Sequence, residues 1–177
     1  RVDAVVVNEI ADDDKWDLES VFADDEAWEN AFRDVRDRVD DLRAYEGKAT
    51  ENAATLLELL EHREEVMRDV ATVSTYANLR QSEDTRDGEA QAMAARAESL
   101  AADARSAASF LEPELQEFDR SAVETFVDDE PALAAYEHYF DDVHRRKPHT
   151  RSPEVEELLA ELSDVTDAGN EVYSMLT

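Results

Sequence analysis

Apolar residues recur along most of this chain in alternating steps of three and four, the spacing that places them on one face of an α-helix. Only three Gly and four Pro interrupt the pattern in 177 residues. The first apolar stripe consists of Trp28, Phe32, Val35, Val39 and Leu42, and the second of Leu56, Leu59, Leu60, Met67, Val70, Val73 and Ala77. The pattern predicts an all-α fold, an antiparallel bundle of about six helices. We expect it to form a single domain over residues 1–177, with a short irregular segment at about 1–23.

Capping residues mark the ends of the first two predicted helices. Asp25 can cap the start of the first helix, because its carboxylate can accept hydrogen bonds from the amides of the first turn. Gly47, in the segment YEGK, is placed for the left-handed residue that follows a helix. Thr50 can then cap a long second helix. The short break between the two helices predicts antiparallel neighbours.

The later helices are predicted from an alanine seam and from turn signals. A third helix carries Met93, Ala97, Leu100, Ala104, Ala107 and Leu111. Because this face is mostly alanine, a neighbouring helix can approach it closely, and Pro113 is expected to end or kink the helix. Three further helix starts follow from capping residues and prolines: Ser121 with Glu124, Pro131, and Ser152 with Pro153.

The excess of acidic residues limits which partners this bundle can bind. The chain has 46 Asp and Glu against 18 Lys and Arg, a net charge of -28, and the acids are spread along its whole length. Nucleic acids and anionic membranes would be repelled, so we expect neither as a partner. The acid-rich, lysine-poor composition resembles that of salt-adapted cytosolic proteins, whose self-repulsion is screened by counterions. We therefore predict a halophilic, cytoplasmic protein.

The chain has no cysteine, which excludes disulfides, thiol catalysis and cysteine-ligated zinc. No apolar run approaches the length needed to cross a bilayer, and no signal peptide is recognisable. The sequence begins at Arg1 rather than Met and ends at NEVYSMLT inside an amphipathic pattern. We expect a piece of a longer polypeptide.

The four histidines do not form a recognisable zinc centre. A metallopeptidase helix needs two histidines four positions apart with a glutamate beside the first. His144 and His149 are five apart with Pro148 between them, and His62 has no second histidine nearby. A weaker group is formed by His138, Asp141, Asp142 and His144. In so acidic a chain, such a group is more often a solvated helix face than a metal site.

Two features near the C-terminal third are candidates for binding. Tyr136 and Phe140 follow an apolar stripe and are expected in the core, whereas Tyr139 lies off that stripe and is expected to be exposed. Arg145 and Arg146 belong to a basic cluster that continues through Lys147 and Arg151. The end of one helix favours such charges and the start of the next favours acids, which explains the cluster structurally. A substrate-facing role remains the alternative.

Several segments, taken in order, resemble the N-terminal region of oligoendopeptidase F, a family of thimet-oligopeptidase-like zinc metallopeptidases. They are KWDLESVF at 15–22, DDEAWENAF at 24–32, YEGK at 45–48, TYANLRQSEDT at 75–85, SFLEPEL at 109–115 and YEHYFDDVHRRKPHTRSPEVEELLA at 136–160. The last segment is the most specific. It is similar to the family pattern of a tyrosine, Arg-x-Lys-x-His, a serine and Glu-x-Leu-Leu-Ala, with Arg145, Lys147, His149 and Ser152 in place.

The resemblance implies a helical lobe that forms one wall and the lid of a deep cleft for unfolded oligopeptides. A downstream catalytic lobe of the same polypeptide would carry the zinc, its ligands and the catalytic glutamate. No catalytic or metal-binding residue is therefore assigned to this chain, which is expected to be inactive alone. The candidate cleft residues are Tyr139, Arg145, Arg146 and His149.

Other classes of function stay open at this point. The chain could be a freestanding acidic helical module that receives a partner helix, or a structural bundle without activity. A metal-binding four-helix protein would need paired Glu-x-x-His motifs on facing helices, and the sequence has none.

Overall fold

The structure is a computed structural model, and it describes residues 16–146. Within that range the regular elements are six α-helices and three short 3-10 turns. The helices are α1 (Asp25–Leu42), α2 (Ala53–Glu83), α3 (Gly88–Ala107), α4 (Leu111–Glu117), α5 (Arg120–Asp129) and α6 (Glu137–Arg146), and the 3-10 turns are Leu18–Ser20, Arg43–Tyr45 and Pro131–Tyr136. The all-α prediction is confirmed. The helix predicted to start at Ser152 lies outside the described residues.

The chain divides into two compact units, residues 1–137 and residues 138–177. Of the second unit the structure describes only residues 138–146, which belong to α6. The expectation of one domain over 1–177 therefore stays a prediction.

The core of the first unit is built by α1, α2 and α3, which pack on one another. All five apolar residues of the predicted α1 stripe are buried. The Trp28 indole is fully buried, lies 5.2 Å from the Phe32 ring centroid, and donates a 2.9 Å hydrogen bond from Nε1 to the carbonyl oxygen of Val73 on α2. Burial of side chains of this size stabilises a fold by roughly 1.5–3 kcal/mol each.

The predicted seam of α3 is confirmed at Ala97, Leu100, Ala104 and Ala107, whereas Met93 is half-buried and Leu111 belongs to α4. The buried residues of α3 are Ala90, Ala94, Ala97, Leu100, Ala104 and Ala107. Small side chains let α3 lie close against α2, the helix with which it makes its most extensive contacts. Arg96, on the α3 surface, places its guanidinium over the Phe32 ring, 4.4 Å from the ring centre. The same guanidinium pairs with Glu29 at 2.8 and 3.0 Å.

Three predicted caps are wrong by one or two residues. Asp24, not Asp25, caps α1 by accepting from the Ala27 amide at 2.8 Å. Asn52, not Thr50, caps α2. Asp119, not Ser121, caps α5 and also accepts from the Ser121 hydroxyl. In each case a second capping residue stands close by, and the residue with extended backbone geometry takes the role.

The predicted end of the third helix is also wrong. The helix α3 ends at Ala107, and Pro113 lies in the first turn of the separate short helix α4. A proline is tolerated there because the first-turn amides of a helix have no partner within it. The prediction for Pro131 is confirmed, since it opens the 3-10 turn that leads into α6.

Gly47 has a φ of +77°, the left-handed conformation predicted for it. The loop that it forms is held from α4. The two carboxylate oxygens of Glu114 accept hydrogen bonds from the amides of Gly47 at 2.6 Å and Ala49 at 3.1 Å. This contact joins positions 67 and 65 residues apart in the chain.

Candidate functional site

The last turn of α6 carries the two candidate arginines. The side chains of Arg145 and Arg146 are 78% and 50% exposed, and both donate hydrogen bonds to the carboxylate of Asp142. These bonds, that from Arg145 first, lower the pKa of Asp142 to about 2. One carboxylate thus faces two guanidinium groups, and the exposed part of each guanidinium can donate to an anionic or carbonyl group.

Arg145 and Arg146 also stand where the helix dipole favours cations. They follow His144, whose Nδ1 donates a 2.8 Å hydrogen bond to the Phe140 carbonyl oxygen. The structural part of the junction prediction is therefore confirmed for α6. Its other half, with Lys147, His149, Arg151 and Ser152, lies outside the described residues.

Tyr139 is half-buried, and its ring centroid lies 6.1 Å from that of Phe140. The prediction that Tyr139 is exposed is therefore wrong. Its helical neighbour Phe140 is buried as predicted, whereas Tyr136 is only half-buried. The sequence pattern did not predict the partial burial of Tyr139, because a side chain at the margin of an apolar stripe can still be partly covered.

No group of three His, Asp or Glu side chains within residues 16–146 is placed to hold a metal ion. His138 is exposed, and the His144 ring nitrogen Nδ1 is already bonded to the backbone. Within residues 16–146, none of the helices combines the length and the hydropathy that a bilayer-spanning helix needs.

A cavity that the sequence did not reveal lies in the first unit, and we call it the Trp16 cavity. Its volume is about 390 Å³, and it lies beside the Leu18–Ser20 turn. Its walls come from the segment 16–25, which includes the start of α1, and from the C-terminal part of α2. Trp16 on its rim is 54% exposed. The lining residues of segment 16–25 and those of α2 are about 60 positions apart in the sequence and share no periodic pattern. They come together only when the chain folds.

The inner wall of the Trp16 cavity is an ordered polar network. Arg80 donates to both oxygens of Asp25, at 3.2 and 3.0 Å, and pairs with Glu83 at 3.3 Å. The Tyr76 hydroxyl donates to the same Asp25 carboxylate at 3.1 Å. The Arg80 hydrogen bond lowers the pKa of Asp25, and burial, reinforced by Asp25, raises the pKa of Tyr76.

A second cavity, of about 400 Å³, lies beside the Gly47 loop and is lined in part by Tyr45, Lys48 and His62. The Tyr45 hydroxyl donates to Glu58 at 2.8 Å, and His62 Nε2 lies 3.2 Å from the Arg38 carbonyl oxygen. Burial, followed by the Glu58 hydrogen bond, raises the pKa of Tyr45. The polar groups of Tyr45 and His62 are thus engaged within the fold.

Known proteins share sequence and fold similarity with this chain. The family model described as Oligopeptidase F matches residues 114–177. Oligopeptidase PepF of Bacillus subtilis is 31% identical over 169 residues, which covers 96% of this chain and 25% of that protein. Group B oligopeptidase PepB of Streptococcus agalactiae is 33% identical over 162 residues, covering 92% of this chain and 27% of the relative. The crystal structure of oligoendopeptidase-F from Enterococcus faecium superposes with a TM-score of 0.67 at 27% identity, covering 82% of this chain and 29% of that one.

The fold and these matches show an all-helical domain that is similar to the N-terminal part of oligoendopeptidase F proteins. The resemblance to the oligoendopeptidase F family that the sequence predicted is confirmed. The chain spans about a quarter of the length of the curated relatives that it matches.

Proposed function

We propose that this chain is the lid and cleft-wall lobe of a zinc-dependent oligoendopeptidase that hydrolyses unfolded oligopeptides in the cytoplasm. The observation that carries the proposal is the match of 92–96% of the chain to relatives that are named oligopeptidases and are about four times as long. A lobe of this kind acts by geometry. It narrows access to the reacting bond, excludes folded proteins and holds the peptide in position.

Within this proposal, the α6 end contacts the peptide. Arg145 presents an exposed guanidinium whose planar set of donors suits a peptide carboxylate or carbonyl oxygen. Arg146 and the half-buried Tyr139 stand on the same helix, and His149 is proposed as a further lining residue. Asp142 orients both guanidinium groups through its hydrogen bonds and is a positioning residue.

The zinc that the family resemblance implies does not fit residues 16–146, because no group of three suitable side chains is placed to ligate it there. We therefore place the zinc ligands and the catalytic glutamate in the remainder of the polypeptide.

The first experiment compares this chain with a polypeptide that continues over the full length of the relatives. We expect the long form to bind zinc and to cleave unfolded oligopeptides, and the 177-residue chain to do neither. Metal analysis and a fluorogenic peptide assay measure the two properties. One tightly bound zinc per 20 kDa chain, or no peptidase activity in the zinc-loaded long form, would contradict the proposal.

A second experiment tests the α6 end in the long form. We expect Arg145→Gln with Arg146→Gln to raise KM for peptides by about tenfold with little change in kcat, because a charge-assisted hydrogen bond is worth roughly 1.5–3 kcal/mol and acts on bound substrate and transition state alike. Arg33→Gln with Arg36→Gln is the matched control, since both are exposed helical arginines that pair with acidic side chains. An unchanged KM would remove the α6 end from the cleft.

A further inference from the structure

The Trp16 cavity combines an exposed aromatic surface with negative charge. Trp16 and Val21 are the two large apolar side chains that the described part of the chain exposes, at 54% and 39%. Both belong to the short segment that forms the cavity rim and the 3-10 turn beside it. The Phe22 ring packs edge-on against Tyr76 at 5.3 Å, so the segment is anchored to α2 while the indole stays accessible.

The charged residues that line the cavity are five carboxylates and one guanidinium: Asp17, Glu19, Asp24, Asp25, Glu83 and Arg80. The guanidinium is already occupied, because Arg80 pairs with Asp25 and Glu83. Asp17, Glu19 and Asp24 have no Lys or Arg partner among residues 16–146. An anionic ligand would be repelled from this cavity, and a neutral apolar ligand would desolvate these carboxylates without compensation.

The ligand that suits both features is a cation with a flat face. A guanidinium group stacks on an indole and forms paired hydrogen bonds with carboxylates, which an ammonium group does less well. The cavity volume of about 390 Å³ is at the lower end of the range for sites that hold small ligands or single side chains.

We propose that the Trp16 cavity binds an arginine side chain of the oligopeptide substrate. The identity of the occupant as substrate rests on the proposed peptidase function, whereas the preference for a guanidinium group rests on charge complementarity and the exposed indole. Trp16 supplies the stacking face. Asp17, Glu19 and Asp24 supply the carboxylates, and the Arg80 network keeps the inner wall in place.

The binding experiment titrates the 177-residue chain with a capped pentapeptide, acetyl-Ala-Ala-Arg-Ala-Ala-amide, by calorimetry. The measurement is made at about 1 M salt, where the Debye length of about 3 Å suppresses diffuse attraction to an acidic protein. We expect saturable binding that weakens about two- to fivefold in Trp16→Ala, because that is the magnitude of a cation–π contact at an exposed indole. The same peptide with glutamine in place of arginine should bind at least about tenfold more weakly.

Two matched variants separate the cavity from general acidity. The cavity variant carries Asp17→Asn, Glu19→Gln and Asp24→Asn, and asparagine preserves the capping function of Asp17 and Asp24. The control variant carries Glu124→Gln, Asp128→Asn and Asp129→Asn, three exposed acids of α5. Both lose the same charge. We expect only the cavity variant to lose affinity, with the fold of each checked by circular dichroism.

Equal loss in the two variants, or equal binding of the arginine and glutamine peptides, would overturn the cavity proposal. A kinetic arm with the zinc-loaded long form keeps the two proposals apart. Cleavage of neutral peptides without any arginine preference leaves the peptidase function standing and removes the cavity as a substrate site. Absence of all cleavage, together with specific arginine binding, removes the peptidase function and leaves a site for arginine side chains.

Discussion

Glu114 shows how a single residue can join distant parts of this chain. Its carboxylate accepts from the amides of Gly47 and Ala49, and Ala49 is fully buried. Two amides that point at one carboxylate would otherwise need water or other acceptors. Glu114 therefore fixes the loop between α1 and α2 from the side of α4.

Replacing Glu114 tests this contact. We expect Glu114→Ala to destabilise the fold by roughly 1–3 kcal/mol, because the Ala49 amide loses its acceptor in a buried place, and Glu114→Gln to cost less, since one acceptor oxygen remains. Urea unfolding followed by circular dichroism measures both. The control is Glu117→Ala, an exposed residue of the same helix. Equal effects at positions 114 and 117 would contradict the role given to Glu114.

For this contact, the sequence predicted the role of Gly47 but not that of Glu114. Gly47 was predictable because a left-handed position after a helix needs glycine. Glu114 was not, because its partners are backbone amides 65 and 67 residues away, and every residue has a backbone amide. No residue type or spacing in the sequence marks such a contact.

The helices were predictable as elements, and their ends were not. The stripe from Trp28 to Leu42 has one period and one buried face, so α1 follows from it directly. Its cap did not follow, because Asp24 and Asp25 are adjacent and chemically identical. Asp24 is the cap because its backbone is extended, whereas Asp25 is the first residue of α1 and its carboxylate pairs with Arg80 on α2.

The contact between the start of α1 and the end of α2 gives a pH prediction. Arg80 lowers the pKa of Asp25 below its ordinary value of 3.8, so the contact is formed in full above that pH and is lost as the pH falls through the lower folded-state pKa. We expect Arg80→Gln to return the Asp25 pKa toward 3.8 and to make stability less dependent on pH below about 4. Carboxyl NMR titration measures the shift.

The control for that experiment is Arg86→Gln, because Arg86 pairs with Asp84 in a loop and does not touch Asp25. An Asp25 pKa that stays equally low in Arg80→Gln would show that the helix start, rather than the arginine, sets it.

For the whole molecule, the charge of -28 governs the response to salt. Salt weakens exposed pairs such as Arg80 with Asp25, but it also screens the repulsion among a large excess of carboxylates. We expect the second effect to dominate, so that the free energy of unfolding rises from low to molar potassium chloride. Urea unfolding at both salt levels measures it. A fold that is indifferent to salt would contradict the halophilic prediction.

The site was predictable only as far as the family pattern reaches. Arg145 and Arg146 were selected as candidates because they stand in a contiguous segment that resembles the family. The structure places both on one helix end, and their role in the cleft stays a prediction. The Trp16 cavity was not found, because Asp17, Tyr76 and Arg80 come from separate elements. A pattern read along one segment cannot report what tertiary packing brings together.

The Glu114 contact also has a consequence for proteolysis. The three lysines are Lys15, Lys48 and Lys147, so a lysine-specific protease has one cleavage position between α1 and α2, after Lys48. The peptide bond that it must cut joins Lys48 to Ala49, and its own N–H is one of the two amides that Glu114 holds. A protease needs that segment extended in its own active site. The rate of cleavage after Lys48 should therefore report how often the hydrogen bonds from Gly47 and Ala49 to the Glu114 carboxylate break. Cleavage there would leave α1 and α2 on separate chains.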